Sequence, residues 1–134
     1  MKYLIETNIC IYIMNNQPPE VLHKFRGVAA GDIGISSITV SELYYGANKS
    51  SKRQHNMKRL EEFLYPFAVL EYDESAAKSY GEIRAHLEKK GLVIGPLDML
   101  IAAHALSRHL VLITNNAREF RRIQSLQVEN WVEA

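Results

Sequence analysis

Carboxylate or amide side chains border an apolar run at four separate places in this chain. They are Glu6, Glu42, Asp98 and the stretch 114–116, which reads Thr-Asn-Asn. An acid placed among aliphatic side chains is costly unless a positive charge offsets it, and a divalent cation can do so. The pattern therefore predicts an acidic site that binds Mg²⁺.

The other metal-binding residue types of the chain also favour a hard cation. There are five histidines, none at the spacing of a metal-binding pair, and a single cysteine, Cys10, within an apolar run. Oxygen ligands without thiolates or paired imidazoles select Mg²⁺ or Mn²⁺ over Zn²⁺. Cys10 is expected to be a small buried side chain, and an internal disulfide is excluded.

Short aliphatic runs alternate with amphipathic stretches along the whole chain. The runs predict strands at 2–5, 33–36, 68–72 and 110–113, with a last edge strand at 127–129. Helices are predicted at 9–14, 18–30, 37–48, 53–64, 74–90, 96–107 and 117–120. The predicted caps are Thr7 or Asn8, Ser37 or Thr39, and Asp73. Aliphatic strands separated by helices indicate an α/β fold, with a parallel sheet covered on both faces.

The predicted sheet suggests where the acids meet, because ligands of such sheets bind beyond the carboxyl ends of the strands. Glu6 and Thr114 follow predicted strands, whereas Glu42 and Asp98 lie in the first turns of predicted helices. Alone, each acid has an ordinary explanation, as a solvated strand end or as a charge that complements a helix N-terminus. Brought together at one edge, they would be strongly destabilising without a bound cation.

Length and composition limit the other possibilities. A chain of 134 residues, 47% hydrophobic and 23% charged, is expected to form a single domain, residues 1–134. No run approaches the ~18 apolar residues of a membrane-spanning helix, so a cytoplasmic protein is expected. Because the formal net charge is +1, nucleic-acid binding needs a local basic patch, and Arg118 is the best candidate for a phosphate contact.

Four segments together resemble the motifs of PIN-domain ribonucleases, in particular the VapC toxins of bacterial toxin–antitoxin pairs. They read MKYLIETNICIY (1–12), ISSITVSELYYGA (35–47), GPLDMLIAAHA (95–105) and LITNNAREF (112–120). The resemblance implies a three-layer α/β/α sandwich, a homodimer and a Mg²⁺-dependent endoribonuclease toxin. It also implies a cognate VapB-type antitoxin that covers the acidic site. Members most similar in these motifs are associated with structured tRNA, initiator tRNA among them, but no residue here identifies the RNA.

The resemblance also assigns roles by position. It makes metal ligands of Glu6, Glu42 and Asp98, and it puts Asn116 in the place of the family's fourth, variable acid, completing the catalytic set. Supporting roles fall to Thr7, Asn8 and Thr114, which would orient the ligands or the attacking water through hydrogen bonds. Glu119, one turn beyond Asn116, is the alternative source of a fourth carboxylate.

Two departures from the family pattern concern the geometry and the charge of this site. The family's first acid is nearly always Asp, and Glu6 is longer by one carbon–carbon bond, roughly 1.5 Å. Weakened or displaced metal binding and reduced activity are therefore expected. Asn116 is neutral, so the site has three full negative charges unless Glu119 adds a fourth.

Two other classes of protein also place acids at strand ends. One is a catalytically inactive PIN domain that serves as an antitoxin-binding or DNA-tethered regulatory partner, and Glu6 keeps this interpretation open. The other is a receiver-like phosphoacceptor, which needs adjacent acids after its first strand and a lysine after its fifth. Here Glu6 is followed by Thr7 and Asn8, which disfavours the receiver interpretation.

Overall fold

The computed structural model describes residues 1–132 of the chain. Within them, five strands form one sheet in the order β3-β2-β1-β4-β5, and every neighbouring pair is parallel. The strands are β1 (Tyr3–Ile5), β2 (Ile33–Ser36), β3 (Ala68–Leu70), β4 (Val111–Ile113) and β5 (Val128–Glu129). The predicted parallel sheet is confirmed, and β5 is its predicted edge strand.

Seven α-helices connect the strands in this described part of the chain. They are α1 (Thr7–Met14), α2 (Pro19–Arg26), α3 (Ser37–Lys49), α4 (Arg53–Leu64), α5 (Glu74–Lys90), α6 (Pro96–Ser107) and α7 (Ala117–Phe120). None of them, as described within residues 1–132, is long and apolar enough to cross a membrane.

Two predicted elements extend beyond their real ends. The helix predicted for 18–30 stops at Arg26, because the next residue, Gly27, has a low helix propensity. Ala30–Asp32 forms a separate 3₁₀ turn. The strand predicted for 68–72 stops at Leu70. After it, the Tyr72 N–H donates to the Ser37 hydroxyl at 3.1 Å instead of to a neighbouring strand.

Helix α3 begins one residue earlier than its predicted caps allow. Ser36 is the cap, since its hydroxyl accepts the Ile38 N–H at 3.1 Å, so the assignment to Ser37 or Thr39 is wrong. Ser36 is also the last residue of β2. The strand therefore passes directly into the helix that carries Glu42, without a loop between them.

The sheet separates two apolar cores. Because successive side chains of a strand point to opposite faces, Leu4 and Leu112 belong to one core, and Ile5 and Ile113 belong to the other. Helices α5, α6 and α7 cover the first core, and α1 to α4 cover the second. This arrangement confirms the α/β/α sandwich, and it brings the starts of α3 and α6 to the carboxyl edge of the sheet.

Candidate active site

The carboxyl ends of β1 and β4 lie side by side at the centre of the sheet. Ile5 pairs with Ile113, which makes the next two residues, Glu6 and Thr114, neighbours. The Glu6 N–H donates to the Ile113 carbonyl at 3.0 Å and so continues the ladder beyond β1. Glu6 is only 4% exposed and Thr114 is fully buried. The first acid therefore lies inside the protein, and it is not a solvated strand end.

The Glu6 carboxylate is also the N-cap of α1. Its Oε1 accepts the Asn8 N–H at 3.2 Å, so the assignment of this cap to Thr7 or Asn8 is wrong. Glutamate is uncommon in this position, where Ser, Thr, Asp and Asn are preferred. The hydrogen bond shows that the longer side chain of Glu6 turns back toward the start of the helix.

The pKa of Glu6 reports which charges surround it. Burial above all, and then the negative charges of Asp98 and Glu42, raise this pKa from its ordinary 4.5 to about 7. The Asn8 N–H and the Thr114 hydroxyl act in the opposite direction, because they stabilise the ionised carboxylate. The structure thus brings carboxylates from three distant segments near one another at this edge.

The surroundings of Asp98 contain a fourth carboxylate. Asp98 is half-buried in the first turn of α6, and its pKa is raised by burial and then by the charges of Glu42 and Glu119. Asn116 has a different part, because its backbone N–H donates to the Thr114 hydroxyl at 2.9 Å and shapes the turn into α7. Of the two residues considered for the fourth position, Glu119 is the one whose charge acts on Asp98.

Thr7 connects the start of α1 to Glu42. Its hydroxyl donates to Glu42 Oε1 at 2.6 Å and lies 3.4 Å from the hydroxyl of Thr39. A hydroxyl has one hydrogen and two lone pairs, so Thr7 can donate to Glu42 while it accepts from Thr39. Thr39 is fully buried, and sequence analysis missed it as a site residue. Its position one helical turn before Glu42 was the available signal.

A chain of amide and phenol groups lies on the rim of the site. The exposed Asn8 side chain donates to Asn115 Oδ1 at 3.5 Å, and Asn115 Nδ2 donates to the Tyr12 hydroxyl at 2.9 Å. Sequence analysis named Asn8 but gave no role to Asn115 or Tyr12. Arg118, the predicted phosphate contact, is exposed on α7.

The donors at this edge suit a hard divalent cation. Such an ion prefers carboxylate oxygens, and its charge would offset the burial and repulsion that raise the pKa values of Glu6 and Asp98. Within residues 1–132, however, no three His, Cys, Asp or Glu side chains form a ready-made metal shell. In this state one oxygen of Glu6 accepts the Asn8 N–H, and one oxygen of Glu42 accepts the Thr7 hydroxyl.

A groove of about 260 Å³ opens beside Glu42, between α1, α3 and α4. Its walls are mainly apolar, with Ile11 and Leu43 among them, and Arg59 is its basic residue. The Arg59 guanidinium donates to the Met14 carbonyl at 2.9 Å and so holds α4 against the end of α1. The groove is therefore a preformed apolar surface next to the acidic edge.

The fold and the acids at its carboxyl edge define a PIN domain, and the PIN domain family model matches residues 3–126. Ribonuclease VapC2 of Haemophilus influenzae is 46% identical over 132 residues, which cover 98% of this chain and 99% of that protein. The tRNA(fMet)-specific endonuclease VapC of Shigella flexneri is 44% identical over 131 residues, covering 98% of each chain.

A solved structure agrees with these two relatives. The crystal structure of DNA-bound VapBC from Salmonella typhimurium contains a chain that is 44% identical, with a TM-score of 0.92 and 98% of both chains covered. The protein belongs to the VapC family of PIN-domain ribonucleases. The resemblance seen in the four sequence motifs is thereby confirmed.

Proposed function

We propose that this chain is a Mg²⁺-dependent endoribonuclease, the toxin of a toxin–antitoxin pair, and that Mn²⁺ can replace Mg²⁺. The observation that carries the proposal is the buried Glu6 carboxylate, whose pKa is raised to about 7 by burial and then by the charges of Asp98 and Glu42. Strongly perturbed acids that gather at one edge of a fold are typical of functional sites. The reaction is hydrolysis of an RNA phosphodiester.

Three carboxylates hold the ion in this proposal. Glu6, Glu42 and Asp98 supply its oxygen ligands, and Glu119 adds negative charge beside Asp98. A divalent ion bound by these carboxylates would supply an acidified water and positive charge to offset that on the phosphate oxygens. Because Thr7 donates to one oxygen of Glu42, it restricts the rotation of that carboxylate and leaves the other oxygen available.

The remaining predicted residues position these groups or the substrate. The Thr114 hydroxyl favours ionised Glu6, and the Asn8 N–H holds Glu6 Oε1. Asn116 occupies the fourth position without a charge of its own. Arg118 is exposed next to that position, where its guanidinium can pair with a phosphate of the RNA backbone.

The relatives support a substrate class and a partner. The Shigella flexneri relative is named for cleavage of tRNA(fMet), which supports tRNA as the substrate class here. The Salmonella typhimurium structure is described as VapBC, which supports a VapB-type antitoxin. The groove beside Glu42 offers that antitoxin an apolar surface leading to the acidic edge. The homodimer implied by the motifs stays a prediction.

An RNA cleavage assay with titrated Mg²⁺ tests the proposal. Asp98→Asn removes one ligand charge, and we expect cleavage to fall by about 100-fold or more, since loss of groups that merely support ligands already costs 10–100-fold. Asp73→Asn is the matched control, because Asn caps α5 as well as Asp does and lies outside the acidic edge. Full activity of Asp98→Asn would place the active site elsewhere.

Glu6 supports a second part of the proposal, namely that the enzyme is attenuated. Its carboxylate is bound to the start of α1, and it is one methylene longer than the family's Asp. We expect Glu6→Asp to raise Mg²⁺-dependent cleavage by about tenfold, because misplacement by ~1 Å is costly in catalysis. Equal rates for the two chains would contradict attenuation.

The same observation favours a catalytically inactive PIN domain as the alternative function. In that case the unmodified chain binds its antitoxin but does not cleave RNA even at saturating Mg²⁺, whereas Glu6→Asp does. Slow, Mg²⁺-dependent cleavage by the unmodified chain, abolished in Asp98→Asn, would exclude this alternative.

A further inference from the structure

His104 is a buried polar side chain that the proposed reaction does not use. It lies on α6 and is fully buried, with Nδ1 2.7 Å from the Ser36 hydroxyl. The main chain of Glu71 also interacts with the ring, but Nε2 makes no hydrogen bond of good geometry within residues 1–132. A buried ring nitrogen whose main-chain partner is poorly aligned lowers stability. Core packing alone therefore does not explain a histidine here.

Ser36 makes two hydrogen bonds with one hydroxyl group. Its Oγ accepts the Ile38 N–H at 3.1 Å, as the cap of α3. A serine hydroxyl has one hydrogen and two lone pairs, so the hydrogen remains available for His104 Nδ1. With the hydrogen assigned in this way, the imidazole is neutral and carries its proton on Nε2; the other tautomer would reverse the direction of the bond. One buried hydroxyl thus joins the start of α3 to the last turn of α6.

Helices α3 and α6 contact each other, and the hydrogen bond and the acidic pair occupy different places along them. Glu42 lies six positions after Ser36 on α3, and Asp98 lies six positions before His104 on α6. Each separation corresponds to about 9 Å of helix. The charge of Glu42 raises the pKa of Asp98, so these carboxylates also lie near each other. The two helices are therefore bonded at one place and repel each other at another.

We propose that the hydrogen bond between Ser36 and His104 holds α6 against α3 and sets the spacing of Glu42 and Asp98 for a shared divalent cation. Ser36 and His104 are positioning residues, because they act through the helices and do not contact the ion. Without their bond, repulsion between the carboxylates moves the start of α6 away from Glu42. The inference rests on the proposed function, since the spacing matters only if these carboxylates share an ion.

Two variants of nearly equal size separate the hydrogen bond from packing. His104→Asn keeps an acceptor close to the position of Nδ1, whereas His104→Leu has the same shape without the acceptor. The probe is Mn²⁺ alone, titrated calorimetrically into the full chain, and urea unfolding in EDTA measures stability. We expect His104→Leu to stay folded and to bind Mn²⁺ about tenfold or more weakly, and His104→Asn to remain within about twofold of the unmodified chain.

Ser36→Gly removes the same bond from the other side, and it provides the test if His104→Leu does not fold. Glycine is a tolerable helix cap, so the main loss is the hydroxyl that His104 contacts. The same weakening of Mn²⁺ binding is expected. A folded His104→Leu or Ser36→Gly variant that bound Mn²⁺ within about twofold of the unmodified chain would overturn this inference. The proposed function would not be affected by that result. Absence of Asp98-dependent Mn²⁺ binding in the unmodified chain would instead overturn the proposed function, and the inference with it.

Discussion

The two ends of strand β1 differ in the charges that surround them and in their exposure to water. At the amino end, the ammonium group of Met1 lies 3.9 Å from the Asp32 carboxylate, whose side chain is 54% exposed. At the carboxyl end, Glu6 is 4% exposed and lies near the negative charges of Glu42 and Asp98. Only four residues, 2–5, separate Met1 from Glu6. One end pairs opposite charges in water, and the other places a buried carboxylate beside the like charges of two partly exposed ones.

Folding stability accounts for the amino end of the strand but not for its carboxyl end. An exposed ion pair contributes roughly 0–1 kcal/mol and has no cost that needs explanation. Buried carboxylates that repel one another lower stability until a cation or a proton neutralises them. Groups that lower stability are concentrated at functional sites. The carboxylates at the carboxyl end of β1 are such groups, so this is the functional end of the strand.

Neutralising Glu6 is expected to give the largest change in stability. The pKa of Glu6 is about 7 in the folded chain, against 4.5 as its ordinary value. The folded state therefore binds this proton more tightly, and the unmodified chain loses stability as the pH rises from 4.5 through 7. The full difference is worth roughly 3 kcal/mol. Glu6→Gln is expected to be more stable than the unmodified chain by up to this amount at pH 8, and the gain should disappear below pH 4.5.

Urea unfolding in EDTA at pH 8 and at pH 4.5 measures this difference. EDTA is needed because a bound cation would stabilise the unmodified chain and hide the penalty. Equal unfolding free energies for both chains at pH 8 would show that the carboxyl end of β1 is no more strained than the amino end.

Local sequence signals were sufficient where a helix depends on its own residues. Asp73 caps α5 by accepting the Ala76 N–H at 3.0 Å, and Gly91 ends that helix with a φ of 67°. The Asp73 cap and the end of this helix at residue 90 were both predicted, because capping and helix termination act within a few residues. The cap of α1 was predicted wrongly, because Glu6 is a poor cap by propensity and is held in place by the sheet and by Thr114.

Substitutions of the two candidates for the fourth position should distinguish Glu119 from Asn116. Because the charge of Glu119 raises the pKa of Asp98, we expect Glu119→Gln to weaken Mn²⁺ binding by about 10–100-fold. Asn116→Ala keeps the backbone N–H that donates to Thr114, so a much smaller change is expected. Calorimetric titration of both variants makes the comparison. If Asn116→Ala weakened Mn²⁺ binding more than Glu119→Gln did, then Asn116 would be the fourth residue of the site, as the family pattern assigns.

The parts of the site that sequence analysis missed depend on contacts between distant residues. Tyr12 and Asn115 are 103 positions apart, and only the neighbouring positions of β1 and β4 in the sheet bring them together. Ser36 and His104 are likewise distant along the chain, 68 positions apart, and they meet only because α6 packs against the start of α3. The four acidic motifs were visible because each pairs a carboxylate or amide with its own apolar run. A hydrogen bond between two segments leaves no comparable pattern in either one.

Neutralising Asp32 at the amino end of β1 should have the smallest effect. Asp32→Asn removes the partner of the Met1 ammonium group but keeps the Asp32 carbonyl, which accepts the Lys2 N–H at 3.0 Å. The expected loss of unfolding free energy is at most about 0.5 kcal/mol, and it should shrink as salt screens the pair. RNA cleavage should be unchanged, because the strand keeps this end apart from the acidic edge. Urea unfolding at low and high salt, together with the cleavage assay, checks both expectations. If Asp32→Asn changed stability or cleavage as much as neutralising Glu6, then both ends of β1 would be under the same constraint, and the contrast between them would not identify the functional end.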